Sequence, residues 1–331
     1  MNDLGSIAKS RPIATRRLGA DDAGLRAAAA ILKAGGLVAM PTETVYGLAA
    51  DATSPAAVAR IYAAKNRPAF NPLIAHVPTL EAARDEGVFS RQASDIADEF
   101  WPGPLTLVVP AAPQGHVCEL ARAGLASVAL RVPGHGLARD LIAACGVPLA
   151  APSANRSGHV SPTTPEHVLA DLDGLIDAVI MAGPCPVGIE STILACLPEG
   201  PVTCLRAGGT ARDEIAHHIG QAVEMAGFSS VAPVAPGQLS SHYATRAPLR
   251  LDADAPHARE AFLGFGPLPS GLSGPALTLS ETGDLAEAAA RLYGALRSLD
   301  AASPRAIAVA PIPAEGLGEA IRDRLRRAAS R

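Results

Sequence analysis

The stretch from Pro41 to Val77 concentrates the side chains best suited to chemistry. It reads PTETVYGLAAD, a short helical run, then AAKNRPAFNPLIAHV, and so carries Thr42, Glu43, Thr44, Lys65, Arg67, Asn71 and His76. The chain has three lysines (Lys9, Lys33, Lys65) against 25 arginines, and Lys65 stands two residues before Arg67. A lysine offers a compact charge and an arginine a planar fork, a pairing suited to phosphate oxygens. A basic helix C-terminus that complements the helix dipole would use the same two residues without a ligand. Thr42-Glu43-Thr44 follows a short apolar strand, where ligands of open α/β sheets gather and where plain polar turns also sit. His76, inside the apolar run PLIAHV, reads either as a core histidine or as a site residue.

Three further segments offer related chemistry. In SVALR, Ser127 and Arg131 fall on one face of a strand, with Val128 and Leu130 on the other. A buried arginine needs an anionic partner, either a ligand or a carboxylate of the protein. The run Ala150-Ala151-Pro152-Ser153-Ala154-Asn155 ends a strand in small residues that let a ligand approach the backbone. Ser157, Ser161 and Thr163 extend it as a polar loop, fit for cradling a nucleotide or for an ordinary surface. Gly188-Ile189-Glu190-Ser191-Thr192 opens a strand, and Arg206 closes the next one ahead of Gly208-Gly209, again as a potential anion contact.

These residues need elements to hold them. Asp21-Asp22 caps a helix to about Ala34, and Ser54-Pro55 starts a second that ends near Lys65. Strands are expected at 37–40, 73–77, 105–109, 127–131, 148–151, 178–181, 191–196 and 202–205, with helices at 92–100, 136–144, 165–172 and 211–225. Residues 1–20 read as a ragged lead-in. Several strands follow one another without a helix, which predicts an α/β, partly α+β-like, open mixed sheet. Residues 228–247 are rich in proline and small residues and read as an interdomain linker. Residues 248–331 follow a β, β, α, β, α pattern, a small second α/β domain. The boundaries are thus 1–227, 228–247 and 248–331.

Composition narrows the classes. A chain of 331 residues that is 48% hydrophobic can build two cored domains, and 3% aromatics make that core aliphatic. A net charge of −4 argues against a broad nucleic-acid-binding face. The five cysteines, 118, 145, 185, 196 and 204, show no CxxC spacing and read as reduced buried thiols. No apolar run reaches the ~18 residues of a membrane span, and the N-terminus lacks a signal-peptide core, so a cytoplasmic location is expected. P-loop, GxGxxG, HExxH and GxSxG motifs are missing from the sequence. His217 and His218, adjacent on a helix, point about 100° apart and do not converge on one metal.

In this order, the segments PTETVYGL, KNRPxxNPLIxH, WPGPLTLV, ALRVPGH, PLAAPSANxSGxxSPT, GIESTI, LRxG and PGQLxSHYA resemble the Sua5/YrdC/YciO family, and more closely its long, two-domain Sua5 members. The resemblance covers about residues 25–250, and the length of the tail fits the extra domain. It implies a YrdC-like twisted mixed sheet followed by a Rossmann-like domain. The activity it implies is nucleotidyl transfer: L-threonine, bicarbonate or CO2, and ATP give threonylcarbamoyl-AMP and pyrophosphate. That product serves N6-threonylcarbamoyladenosine formation at position 37 of ANN-decoding tRNAs, through downstream transfer proteins. By motif position, Thr44, His76, Arg131, Ala151 and Ser191 would contact threonine. Lys65, Arg67, Asn71, Ser127, Ser153, Asn155, Ser161 and Arg206 would hold ATP, with Lys65 and Arg67 acting on the reacting phosphates. His242 and Tyr243 of the linker would close over the nucleotide. Mg²⁺ would come with the ATP, held mainly by phosphates and water. Two positions depart from the family pattern: Ala49 replaces a common glycine, and Thr245 replaces a proline that would stiffen the linker. Two rival readings are a YrdC-like double-stranded-RNA or ribosome-maturation module and carbamoyl transfer in a multidomain relative. The charge balance and aromatic scarcity weigh against the first, and the missing paired CxxC against the second.

Overall fold

The computed structural model describes residues 14–68, 70–226 and 242–330. Most of the expected linker, up to residue 241, and the first part of the expected lead-in lie outside the described residues. Along the first part of the chain the elements are β1 (Arg16–Gly19), α1 (Asp22–Lys33), β2 (Val38–Met40), β3 (Gly47–Asp51), α2 (Pro55–Lys65), β4 (Ile74–His76), α3 (Leu80–Glu86), α4 (Arg91–Phe100), β5 (Leu105–Pro110), β6 (Ser127–Arg131), α5 (Gly136–Cys145), β7 (Leu149–Ala150), α6 (Pro165–Leu172), β8 (Ala178–Met181), β9 (Thr192–Ala195), β10 (Thr203–Arg206), α7 (Arg212–Ile219) and β11 (Glu224–Met225). Local chemistry sets the helix starts. Asp21, Ser54, Thr79, Ser90 and Thr164 each accept a hydrogen bond from an amide of the first helical turn.

The strands form one mixed sheet in the order β1-β8-β2-β3-β7-β4-β6-β5-β9-β10-β11. Several elements differ from expectation. Part of the lead-in is β1, which pairs parallel with β8 at the sheet edge. The TET turn is followed at once by β3, antiparallel to β2, so the turn is a hairpin and not a strand-to-helix loop. The helix expected over 211–225 stops at Gly220, which takes φ +68, and the chain then adds β11 beside β10. Helix α3 was missed because its seven residues, LEAARDE, bury only Ala83 and Glu86.

The two faces of this sheet are covered unequally. One face packs against a continuous core that includes Leu107, Leu130 and Leu194 of the strands and Val58, Ile61 and Ile96 of α2 and α4. On the other face α1 and α5 cover the β8-β2-β3-β7 half, through Leu32, Leu141 and Ile142 against Val38, Met40 and Leu149. Those two helices leave the rest of that face, over β4, β6 and β9, to other elements. It carries only a small apolar cluster of Ile74, Val108, Ala129, Ile193 and Leu205.

The last part of the chain supplies β12 (Leu249–Arg250), β13 (Ala261–Gly264), β14 (Ala276–Thr278), α8 (Leu285–Ala301), β15 (Ile307–Val309) and α9 (Leu317–Ala329). Its four strands are all parallel, in the order β12-β15-β13-β14, with β14 added to the expected pattern. Its core is shared with the first domain: Val45, Val160, Ile189, Ala207 and Tyr243 pack with Leu292, Tyr293 and Leu296 of α8. No helix among the described residues is long and apolar enough to cross a membrane. The five cysteines are free, four of them buried.

Gly188 is where the domains touch most closely. It takes φ +78, and a Cβ there would lie 2.4 Å from Ala290 Cα and 2.5 Å from the Ala289 carbonyl oxygen of α8. Backbone cannot yield as a side chain can, so Gly188→Ala is expected to lower stability by about 2–4 kcal/mol. Gly146→Ala, at φ +74 with nothing within 4 Å, should cost only about 1 kcal/mol. Urea unfolding of both variants checks this. Equal losses at the two positions would mean that the domain contact is not tight.

Candidate active site

Strand parity and strand ends together place the cleft on the uncovered half of the sheet face: His76, Arg131 and Arg206 are the last residues of β4, β6 and β10, Ala151 follows β7 and Ser191 precedes β9. His76 pairs with Arg131 and Ile74 with Ala129 in the parallel β4–β6 register. Ile74, His76 and Arg131 therefore share one face, and all three line the cleft with Thr44, Val45, Arg67, Ala151, Pro152, Ser153, Glu190, Ser191, Arg206, His242 and Tyr243. The antiparallel β7 brings Ala151 beside Ile74, through a hydrogen bond from the Ala151 amide to the Ile74 carbonyl at 3.1 Å. Small side chains at 150–154 thus form one wall. His242 and Tyr243 form the cover, and together these residues enclose a cavity of about 50 Å³.

Arg131 is held by three acceptors. Its Nε donates to the Gly103 carbonyl at 3.2 Å, Nη1 to Thr44 Oγ1 at 3.0 Å and Nη2 to Glu43 Oε1 at 2.6 Å. One N–H on Nη1 and one on Nη2 remain beyond those bonds, enough for a carboxylate. The structure thus combines the two partners that a buried arginine could take, a protein carboxylate and room for a ligand. Burial pushes the Glu43 carboxyl up, but Arg131 and the backbone at Gly134 together hold the group below the ordinary range. His76, beside Arg131, is pressed down to about 3 by burial and then by the guanidinium, so its ring is neutral. Its Nδ1 donates to the Ile74 carbonyl at 3.3 Å, which leaves Nε2 as an acceptor. Ser191 Oγ shares a hydrogen bond with Thr106 Oγ1 at 2.7 Å and accepts from Arg206 Nη2 at 3.1 Å.

The cationic side is built mostly on backbone carbonyls. Lys65 is buried, and its Nζ donates to the carbonyls of Ser153 and Asn155, both at 2.5 Å. Two of its three donors thus tie α2 to the 153–155 loop, and Lys65 does not line the cavity. Burial, then the neighbouring Arg67, lowers its pKa well below the usual lysine range. Arg67 lines the cleft; its Nη2 donates to the Pro72 carbonyl at 3.2 Å, and burial brings its pKa down to about 10. Arg206 grips the Ser191 carbonyl through Nε at 3.1 Å and Nη2 at 2.9 Å.

The remaining expected site residues divide. Asn155 donates to the carbonyls of Arg156 and His159 at 2.9 and 2.8 Å, so its amide shapes the loop. Ser161 Oγ donates to Glu190 Oε1 at 2.6 Å. Asn71 is buried beside α2, its carbonyl accepting from the Tyr62 hydroxyl at 3.2 Å. Ser127 sits at the other end of β6 from Arg131, opposite Pro110, outside the cavity lining. Thr245 meets its departure from the family pattern locally: Oγ1 donates to the Ala247 carbonyl at 2.6 Å, and the Ala244 amide bonds the Gly158 carbonyl at 2.8 Å. The 242–245 segment is thereby docked without the proline.

Glu190, to which its sequence context assigns no role, is the carboxylate of the cationic side. Tyr293 and Arg324 donate to its Oε2 at 2.8 and 2.9 Å. Burial would raise it, yet Arg324 and then Arg206 hold it at about 2. Neither Tyr293 nor Arg324 carried any local sequence signal, because their partner lies more than a hundred residues away. Around the cleft, Arg67 Nε and His242 Nδ1, with Glu43 Oε2, Asn71 Oδ1 and Asn155 Oδ1 on the framing loops, are buried without a hydrogen-bond partner. Each such atom costs about 1–3 kcal/mol; Arg67 and His242 line the cavity, so a polar group bound there could complete their bonding.

The family model Sua5_yciO_yrdC, described as "Telomere recombination", matches residues 30–208, and Sua5_C, "Threonylcarbamoyl-AMP synthase, C-terminal domain", matches residues 210–330. The threonylcarbamoyl-AMP synthase of Bacillus subtilis (strain 168) is 39% identical over 95% of this chain and 95% of its own length. That of Pyrococcus abyssi is 39% identical over 92% and 93%. The crystal structure of P. abyssi Sua5 complexed with L-threonine superposes with a TM-score of 0.87 at 35% identity, covering 95% of this chain and 97% of that one. Escherichia coli YciO shares the fold alone, with a TM-score of 0.51 at 19% identity over 59% of this chain.

Two neutral buried histidines make stability depend on pH. His76 and His242 are each lowered from 6.5 to about 3, chiefly by burial. A depressed folded pKa contributes stability that is complete above the unfolded value of 6.5 and is lost as pH falls from there toward 3. Between pH 7 and pH 5 unfolding free energy should drop by about 2 kcal/mol per histidine. Urea titrations at the two pH values test this, and His76→Gln should remove about 2 kcal/mol of the drop, His167, lowered to about 4, contributing separately. A profile unchanged between wild type and variant would place a charged His76 in the folded protein.

Proposed function

We infer that this chain, which belongs to the Sua5/YciO/YrdC family and carries that family's C-terminal domain as well, is a threonylcarbamoyl-AMP synthase. The observation that carries the reading is the pairing of near full-length similarity to such synthases with one cleft that sets a partly satisfied arginine beside a group of buried cations. L-threonine is the amino-acid substrate, in keeping with the threonine-bound relative. ATP and bicarbonate or CO2 are the further substrates in this proposal.

Threonine would set its carboxylate on the spare N–H groups of Arg131. Thr44, His76, Ala151 and Ser191 would surround the rest of it, with the His76 Nε2 lone pair facing a donor of the substrate. Arg67 and Arg206 would take the phosphates. Lys65 would act mainly by fixing the Ser153–Asn155 loop, with its remaining donor available to an oxygen. Asn71, Ser127, Ser153, Asn155 and Ser161 would shape the nucleotide's surroundings. A cavity of about 50 Å³ is far below the roughly 300–1,000 Å³ of ordinary ligand pockets. His242 and Tyr243 would therefore withdraw for ATP to enter and close again over it. Residues 228–247 act as that cover in this reading, between a catalytic domain of 1–227 and a supporting one of 248–331.

The reaction would run in two stages. The threonine amine adds to CO2 and loses a proton, giving a carbamate. A carbamate oxygen then attacks the α-phosphorus, the bond to the bridging oxygen breaks, and pyrophosphate leaves. Such a transfer needs positioning and charge neutralisation more than a covalent nucleophile, which suits a site of arginines, hydroxyls and amides. Mg²⁺ would screen the phosphate charge when bound. Glu190 has both oxygens bonded and Glu43 one, and no cluster of three His, Cys, Asp or Glu side chains exists among the described residues. The residues present fit an ion carried by the nucleotide's phosphates and water. The product would pass to proteins that transfer the threonylcarbamoyl group to tRNA.

Pyrophosphate release from ATP, with and without threonine and bicarbonate, is the direct test; release indifferent to threonine would overturn the assignment. Arg131→Lys should raise the KM for threonine about tenfold or more and leave that for ATP within about twofold, since lysine cannot form the fork. Arg67→Ala should do the reverse. Steady-state kinetics on both variants checks the division of the cleft, and a shared rise in both constants would contradict it.

A further inference from the structure

Arg324 lies on α9, 134 residues beyond Glu190, yet its side chain is fully buried against the cleft wall. Its Nε donates to Glu190 Oε2 at 2.9 Å, Nη2 to the Ala207 carbonyl at 2.9 Å and Nη1 to Asp323 Oδ2 at 2.6 Å. Its guanidinium carbon lies 5.3 Å from the centre of the Tyr243 ring, against which Tyr293 stacks at 5.6 Å and 21°. One side chain of the C-terminal domain therefore touches the residue before Ser191, the residue after Arg206 and the covering tyrosine.

Glu190 explains why such a contact is needed. It lines the cavity that Arg67 and Arg206 also line. Its carboxylate fixes Ser161 at 2.6 Å and Tyr293 at 2.8 Å, and so joins the polar loop to α8. An uncancelled carboxylate at that place would repel a phosphate anion in a poorly screened interior and would draw the guanidinium of Arg206 toward itself. Arg324 cancels that charge: its second carboxylate partner, Asp323, is itself paired with Arg327 Nε at 2.9 Å, so the group of two carboxylates and two guanidiniums is neutral and the positive field of the other cations is kept for the ligand.

Resting on the reading of this cleft as a nucleotide site, we propose that Arg324 is a positioning residue for ATP, cancelling the charge of Glu190 and so making the C-terminal domain a working part of the nucleotide half of the site. Arg324 itself touches no substrate in this arrangement. The requirement is for its charge, whereas a packing role alone would require only its bulk.

The test measures ATP affinity by calorimetry with Mg²⁺ present, and the KM for threonine in pyrophosphate release, on full-length wild type, Arg324→Met, Arg324→Lys, Glu190→Gln and the Glu190→Gln/Arg324→Met double variant. Arg324→Met should weaken ATP binding about tenfold or more while the threonine KM stays within about twofold. Arg324→Lys should recover most of the loss. The double variant should bind ATP within about twofold of Glu190→Gln alone, because no carboxylate remains to be cancelled. A double variant as impaired as Arg324→Met would overturn the proposal and assign Arg324 to docking Tyr243. Should Arg324→Met fail to fold, the comparison of Glu190→Gln with the double variant decides: tenfold weaker ATP binding in the double variant overturns it. Wild type that binds ATP but releases no threonine-dependent pyrophosphate would refute the assigned activity and leave the charge test intact; wild type that binds no ATP refutes both.

Discussion

Buried positive charge is the constraint around which this chain is organised. Lys65, Arg131, Arg206 and Arg324 are all nearly inaccessible to solvent, and an unpaired ion in a protein interior costs several kcal/mol. The fold meets that cost in two ways. Carboxylates take two of the four: Glu43 pairs with Arg131 and Glu190 with Arg324. Backbone carbonyls at 153, 155 and 191 take donors of the other two. Lys65 and Arg206 thus exchange water for carbonyl oxygens, and burial lowers the pKa of both. This leaves the cleft with a positive field that no nearby carboxylate fully cancels.

The sheet makes that arrangement possible by leaving half of one face without a helix. Helices α1 and α5 stop at β7, and the remaining strands present alternate residues, His76 and Arg131 among them, to a cavity instead of a core. The second domain and the 242–245 segment close that side. They bring an apolar seam from Val45 to Leu296 and the stacked Tyr243–Tyr293 pair. Catalytic cleft and domain interface are therefore neighbouring parts of one buried region, which gives the C-terminal domain a physical route to the chemistry. The Gly188 contact with α8 lies two residues before Glu190, so the same turn serves packing and charge.

The polar atoms that lack partners give the site its direction. Arg67 and His242, one on the loop after α2 and the other in the 242–245 segment, both line the cavity, and Arg67 Nε and His242 Nδ1 are buried without a hydrogen-bond partner. Tyr243 is held at φ +62, a conformation that a non-glycine residue adopts only under constraint from its neighbours.

The sequence by itself determined the site's residue types, the strands that carry them and the two-domain plan. Those features depend on local pattern: Ser54-Pro55 starts a helix, SVALR alternates, and PLIAHV is apolar except at its histidine. The family resemblance grouped Thr44, His76, Arg131, Ala151 and Ser191 for one substrate and Arg67 and Arg206 for the other, and all seven line one cavity. Short or weakly patterned elements were not legible, among them β1, β3, α3 and β14, because their stability comes from neighbours in the sheet and not from their own period. The sequence could not say that Lys65 is bonded to the Ser153 and Asn155 carbonyls, that Ser161 is bonded to Glu190, or that His76 and Arg131 share the sheet face that α1 and α5 leave uncovered. Above all it could not pair Glu190 with Arg324. Such pairings are decided only when the chain has folded, since a buried charge selects whichever opposite charge the packing brings within about 3 Å of it, however far away that partner lies in sequence.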